Sequence, residues 1–282
     1  MSAALALLAS LLWGSADFVG GSLSRRLRTV QVLAVSQALA AVVLVGFVAV
    51  SGTAERTGGW LGWSLAAGAT WALGMGALYT ALARGTMGVV APIASCGMAL
   101  PVVLGVLAGE RPTPLQLGGV AVAVLGVAGS AGPDLRRGAA PQRRAVLLAL
   151  VAAALFGIEI FCVAQGSTSS VAMTLVGMRL TAVACVAVVL LARPEQRGTV
   201  QPADLVPLLA LGCLDLAATA AYALAASAGM VSLVAVLASL YPAVTVLLAR
   251  QLQAERLSGV QRGGVAAVLT GAALIGLAGG SA

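Results

Sequence analysis

Four charged side chains stand inside long apolar runs of this 282-residue chain: Asp17, Glu159, Arg179 and Asp215. A charge at the centre of a bilayer-spanning helix costs about 2.5–3.5 kcal/mol on insertion scales and persists mainly where it faces protein or water. Chemistry is therefore sought first at these positions. A carboxylate desolvated in a cavity can exchange a proton near neutral pH, and the chain has no histidine, the usual proton shuttle. Any proton coupling through a titrating side chain thus falls to Asp17, Glu159 and Asp215. Arg179 has two readings: half of a buried ion pair with Glu159 or Asp215 that ties helices together, or an anchor for a substrate carboxylate or phosphate, which a guanidinium binds bidentately. Asp215 shares the ambiguity.

Trp13, Trp71, Tyr79, Tyr222 and Tyr241 also lie within apolar runs. Aromatic rings there either pack the core or line a cavity wall that stacks on a substrate ring or cation. Trp13, one helical turn before Asp17, is the strongest of them as a cavity residue. Ser15, Gln37, Thr70, Ser95 and Ser239 could add hydrogen bonds, or serve between helices. Pro92, Pro101 and Pro242 should bend or open their helices, as gating or kink positions. Gly119 and Gly126, like Gly264 and Gly271, are seven residues apart and return to nearly one helix face, a seam for close packing.

These residues must be carried by membrane-spanning helices. The chain is 60% hydrophobic and only 9% charged, whereas a soluble domain is roughly 45–50% apolar and about a quarter charged. A span needs about 20 mostly apolar residues. Cutting at Arg-, Pro- and Gly-rich breaks gives ten spans, at 3–23, 30–50, 60–82, 87–108, 114–131, 145–165, 171–192, 205–226, 230–249 and 260–279. The first reads as a helix and not as a signal peptide, because it lacks a basic leader. Trp60 and Trp63 read as an interfacial belt. No room remains for a soluble catalytic domain. Without lysine there is no phosphate-binding GxxxxGK motif, so this chain alone cannot be ATP-driven. The four cysteines, Cys96, Cys162, Cys185 and Cys213, have no metal-type spacing, and no metal or cofactor is expected. Nor is an intramembrane enzyme, since no serine or cysteine can find a histidine partner.

All sixteen basic residues are arginine, giving a net charge of +7. In short loops this fixes orientation and does not signal nucleic acid. Arg25, Arg26, Arg28, Arg84, Arg136, Arg137, Arg143, Arg144, Arg193, Arg197, Arg250, Arg256 and Arg262 fall on one side of the ten-span arrangement, and only Arg56 and Arg111 on the other. Thirteen against two places both termini away from the cytoplasm.

The chain also repeats. Residues 110–121 align without gaps on 255–266, with Gly119 on Gly264 and Gly126 on Gly271, at an offset of 145. More loosely, Trp13-Gly14 aligns with Phe156-Gly157, Phe18 with Phe161, and Tyr79 to Met87 with Tyr222 to Met230. Two five-span halves result, residues 1–132 and 145–282, joined by a basic loop at 133–144. Five is odd, so the second half enters the membrane inverted. Inverted repeats recur in secondary transporters, with the substrate near the midplane between the halves.

The second half, from Tyr222-Ala-Leu-Ala through Ser239-Leu-Tyr-Pro242 to Glu255-Arg256 and Gly263-Gly264, together with Trp13-Gly14-Ser15, resembles the EamA-type members of the drug/metabolite transporter superfamily. The first half departs at Pro101, four residues from Gly97, which is the equivalent of Pro242. The resemblance implies an all-helical polytopic membrane protein with a central cavity between halves, moving small metabolites or drugs, often with protons. It also implies that the fifth and tenth helices support the cavity from behind. The expectation is a multi-pass protein of the cytoplasmic membrane, monomer or homodimer, whose partners are the bilayer, a small-molecule substrate and protons as coupling ion. It would act as a secondary active transporter, with efflux of an amino acid or drug in view. The alternatives are a lipid-linked carrier translocator, with Arg179 on the lipid phosphate, and a non-transporting scaffold or sensor.

Overall fold

Apolar runs without helix breakers form long helices here, and each break falls at a polar or Pro/Gly-containing loop. The computed structural model describes residues 2–53, 58–100, 113–115, 117–119, 121–122, 125–126, 140–227, 234, 238, 240–253 and 259–279. Its helices are α1 (Ser2–Leu23), α2 (Thr29–Ser51), α3 (Leu61–Arg84), α4 (Met87–Ser95), α5 (Ala140–Ser167), α6 (Val171–Ala192), α7 (Pro202–Ser227), α8 (Tyr241–Leu252) and α9 (Gly259–Gly279). Short 3-10 turns precede α3 at Gly58–Trp60 and extend α4 at Cys96–Ala99. No strand occurs among the described residues. Local chemistry sets several boundaries. Gly52, at φ +65, closes α2 in the left-handed conformation that only glycine adopts without cost. Ser170 caps α6 by accepting from the Met173 N–H.

Six described helices are long and apolar enough to cross a membrane: Ala4–Leu23, Thr29–Ser51, Gly58–Arg84, Arg143–Ser167, Val171–Ala192 and Pro202–Ser227. They coincide with the first, second, third, sixth, seventh and eighth expected spans. The fourth expected span is helical only through Ser95 before it tightens, the ninth is described mainly from Tyr241 onward, and the tenth falls on α9. Most of the fifth, with Pro101 and Ser239, lies outside the described residues. Large apolar side chains cover the outside of the bundle, Val50 being 91% and Val206 74% exposed. A hydrocarbon solvent requires such a surface.

Helices from the N-terminal part of the chain pack mainly on helices from the C-terminal part. α3 lies on α5 and α1 on α7; α3 also meets α6, as α2 meets α7; α1 meets α8, as α4 meets α5. Glycine makes four of these approaches close. Gly14 sits against Tyr241 and Val244, and Gly157 against Gly97 and Leu100; Gly68 sits against Met178 and Thr181, and Gly212 against Ser36 and Ala40. In each case a Cβ would collide with backbone of the facing helix.

α4 has no outward face: every residue from Met87 to Ser95 is buried. Pro92 inside it donates no backbone hydrogen bond, and the helix narrows into the 3-10 turn four residues later. The Ser95 hydroxyl donates back to the Pro92 carbonyl at 2.8 Å. Pro242 occupies the first turn of α8, where a missing N–H costs nothing. The break in that span therefore lies before Pro242. Gly119, Gly126, Gly264 and Gly271 are all helical and buried.

Candidate functional site

A cavity opens where α1, α3, α4, α5, α7 and α8 converge, with about 510 Å³ of free space, part of it open solvent. In terms of the expected spans these are the first, third and fourth of each half. α1 contributes Trp13 and Asp17, one turn apart on one face, and α5 contributes Phe156, Glu159 and Ile160. Trp71, Met75 and Leu78 enter from α3 at the spacing of one helical stripe. Ala94 and Ser95 come from α4, Asp215 from α7 and Tyr241 from α8. Mostly apolar walls with a few polar groups are the mix that small-molecule sites present.

The three carboxylates differ in what holds them. Asp215 is 2% exposed and accepts the Arg179 Nη1 at 2.5 Å and, more weakly, the Gln37 Nε2 at 3.4 Å. Arg179 is fully buried, and both of its terminal nitrogens are bonded to protein while its Nε has no partner among the described residues. Its Nη1 also donates to Gln37 Oε1 at 2.6 Å, and its Nη2 to Thr219 Oγ1 at 3.0 Å and to the Asp215 carbonyl at 3.3 Å. Its guanidinium lies 5.2 Å from the centre of the Trp71 ring, within cation-π range. Thr219, one turn after Asp215, passes its own proton to the Asp215 carbonyl at 2.8 Å. One arginine on α6 is thus tied to α2, α3 and α7. Of the two pairings open to Arg179, the structure has the one with Asp215.

Asp17 and Glu159 have no such partner. Each is 5% exposed and lines the cavity, and neither makes a hydrogen bond or ion pair among the described residues. The aromatic candidates divide. Trp13, Trp71 and Tyr241 line the cavity. Tyr222 stands behind Trp13, the ring centroids 5.6 Å apart, and Tyr241 meets Trp13 edge-on at 6.4 Å. Tyr79 is buried where α1 passes at Gly20. Neither Tyr79, Tyr222 nor Arg179 is part of the described lining.

Phe156, Ile160, Met75, Leu78 and Ala94 were not singled out by the sequence, nor was Thr219 as a ligand of Arg179. The sequence alignment of Trp13-Gly14 with Phe156-Gly157 carries the signal for Phe156, and Ile160 lies at the same offset from Asp17.

At one rim, loops that the arginine count assigns to a single side meet. Arg26 pairs with Asp204 at 2.8 Å, Arg28 Nη1 donates to the Glu195 carbonyl, Arg25 to the Gly85 carbonyl at 3.4 Å, and Gln253 to the Ser22 hydroxyl at 2.7 Å.

No curated protein matches the sequence. Among solved structures, one titled "Crystal structure of protein" superposes with a TM-score of 0.71 over 98% of this chain and 97% of its own, at 20% identity. At that identity the likeness shows the fold. The model of the EamA-like transporter family matches residues 1–132 and 143–277. With its membrane-spanning helices, the chain is a multi-pass membrane protein that belongs to the EamA-like transporter family.

Proposed function

We propose that the chain is a secondary active transporter that moves a small metabolite or drug across the cytoplasmic membrane by alternating access, coupled to protons. The observation that carries this reading is the cavity itself. It is built from the first, third and fourth spans of each half and lined by two buried carboxylates that have no partner among the described residues. A duplicated scaffold has no need of such a chamber, and each unpaired carboxylate would be a standing cost to it.

In this reading the chain has ten spans in two inverted five-helix repeats, residues 1–132 and 145–282, with the basic loop 133–144 between them. The two separately matched segments of the family model support that division. So does the exchange of contacts: Gly14 against the ninth span corresponds to Gly157 against the fourth, and Gly68 against the seventh to Gly212 against the second. Asp17 and Glu159 carry the coupling proton, while Arg179 and Asp215 hold the bundle. Efflux, with amino acids and drugs as cargo, fits the family. A lipid-linked carrier would need a free cation at the cavity, and Arg179 is spent on Asp215.

Purified protein in proteoliposomes under an imposed pH gradient tests the reading. Gradient-driven flux of a solute that Asp17→Asn and Glu159→Gln abolish is the expected result. Flux indifferent to the gradient removes proton coupling, and the absence of any flux across a panel of metabolites and drugs removes transport.

A further inference from the structure

The charged groups in the described lining of the cavity are of one sign. Its described lining holds three carboxylates and no cation. Asp215 is neutralised from behind by Arg179, whose Nη1 and Nη2 are all engaged with protein and whose guanidinium faces Trp71. Asp17 and Glu159 remain, 95% buried and without partners among the described residues. Around them stand four aromatic rings: Trp13, Trp71, Phe156 and Tyr241.

Ligand classes fare differently in such a chamber. A ligand presenting a carboxylate or phosphate would meet like charges with no guanidinium in the described lining to answer them. A neutral ligand would bury the two carboxylates further without compensating them. An organic cation satisfies both requirements, because its charge pairs with the two buried carboxylates and its apolar body lies on ring faces that themselves attract cations.

We infer that the cavity is a binding site for an organic cation, an ammonium-type group with an apolar or aromatic body and no free acid group. Asp17 and Glu159 are its counter-charges, and Trp13, Trp71, Phe156 and Tyr241 its walls. The inference rests on the transporter reading, which supplies the reason for a ligand to enter, and it narrows the substrate class.

Three ligands that share a benzyl group test it on the purified full-length protein: benzyltrimethylammonium, the similarly shaped neutral 2-methyl-1-phenyl-2-propanol, and phenylacetate. Binding is followed by calorimetry and by fluorescence of Trp13 and Trp71. The cation should bind saturably and at least about tenfold more tightly than the alcohol, with phenylacetate weakest. Asp17→Asn and Glu159→Gln should each weaken the cation about tenfold or more and leave the alcohol unchanged. The wild-type ranking alone decides the matter if a variant does not fold. No binding of the cation, equal binding of the alcohol, or preferred binding of phenylacetate overturns the inference. Flux of the same three compounds and of amino acids in proteoliposomes separates the two claims. Transport of other solutes with no cation binding defeats the cation site and leaves the transporter. Charge-selective binding with no flux of any solute defeats the transporter and leaves the site.

Discussion

At the scale of single residues, the buried charges fall into two kinds, and the difference can be measured. Arg179 and Asp215 are bonded to each other and to Gln37 and Thr219. Removing one partner of such a pair leaves an uncompensated buried charge and costs about 3–5 kcal/mol. Arg179→Ala should therefore lower the yield of folded protein and its thermal midpoint sharply in detergent, while Arg179→Met/Asp215→Leu should recover much of the loss. If the single variant is as stable as the parent, the ion pair does not hold the helices. Asp17 and Glu159 lack partners among the described residues, so Asp17→Asn and Glu159→Gln should leave the midpoint unchanged or raise it while transport falls, the usual exchange of stability for function at a site. A drop in stability equal to that of Arg179→Ala would assign these acids a structural role instead. The cost of charge in hydrocarbon is what made all four legible from sequence. The aromatic residues were harder: type and depth are the same for Tyr241, which faces the cavity, and for Tyr222, which stands one ring behind it. Which side of a helix looks inward is decided by neighbours elsewhere in the chain. Phe156 was readable only through its counterpart Trp13.

Among the helices, the long uninterrupted spans were legible because about 20 apolar residues between charged loops admit one structure in a bilayer. Where glycine and proline interrupt a run, as in α4 and before α8, composition does not specify how the backbone narrows or turns. The pairing of helices was not legible either, since seven-residue glycine spacing drew attention to the fifth and tenth spans. Among the described residues, close approaches between facing helices occur at Gly14, Gly68, Gly97, Gly157, Gly177 and Gly212. Gly157→Val places side-chain atoms against the Gly97 carbonyl and Leu100, and should destabilise the protein as an overpacked core does, by about 1–3 kcal/mol or more. Gly46, in the exposed part of α2 with open space where a side chain would stand, is the control: Gly46→Ala should be neutral or stabilise by up to ~1 kcal/mol. Thermal unfolding of both in one detergent checks the pair, and equal midpoints would mean that the α4–α5 contact is not tight. The rim pair is asymmetric in the same sense. Arg26 is 57% exposed and Asp204 5%, so Arg26→Ala should cost more than an ordinary surface pair, about 0–1 kcal/mol, because it leaves a buried carboxylate with only the Gln201 N–H at 3.4 Å.

For the molecule as a whole, orientation and inversion are one question with two separable answers. Arg25, Arg26, Arg28, Arg193 and Arg197 come from loops of different halves, yet Arg26 reaches Asp204 and Arg28 reaches the Glu195 carbonyl, so these loops share a rim. The excess of arginine on that side is the feature that retains loops in the cytoplasm. If each half crosses five times, the basic loop 133–144 must lie opposite both termini, whichever way the molecule faces. Fusions at the C-terminus and within residues 133–144 therefore discriminate. Alkaline phosphatase, active only outside the cytoplasm, should be active at the C-terminus and silent in the loop, and a fluorescent protein that matures only in the cytoplasm should give the reverse. Both reporters exchanged would keep the inversion and overturn the arginine-based orientation. The same reporter active at both places would require an even number of crossings in the second half, and with it the inverted repeat and the exchange of cavity walls between halves would have to be abandoned.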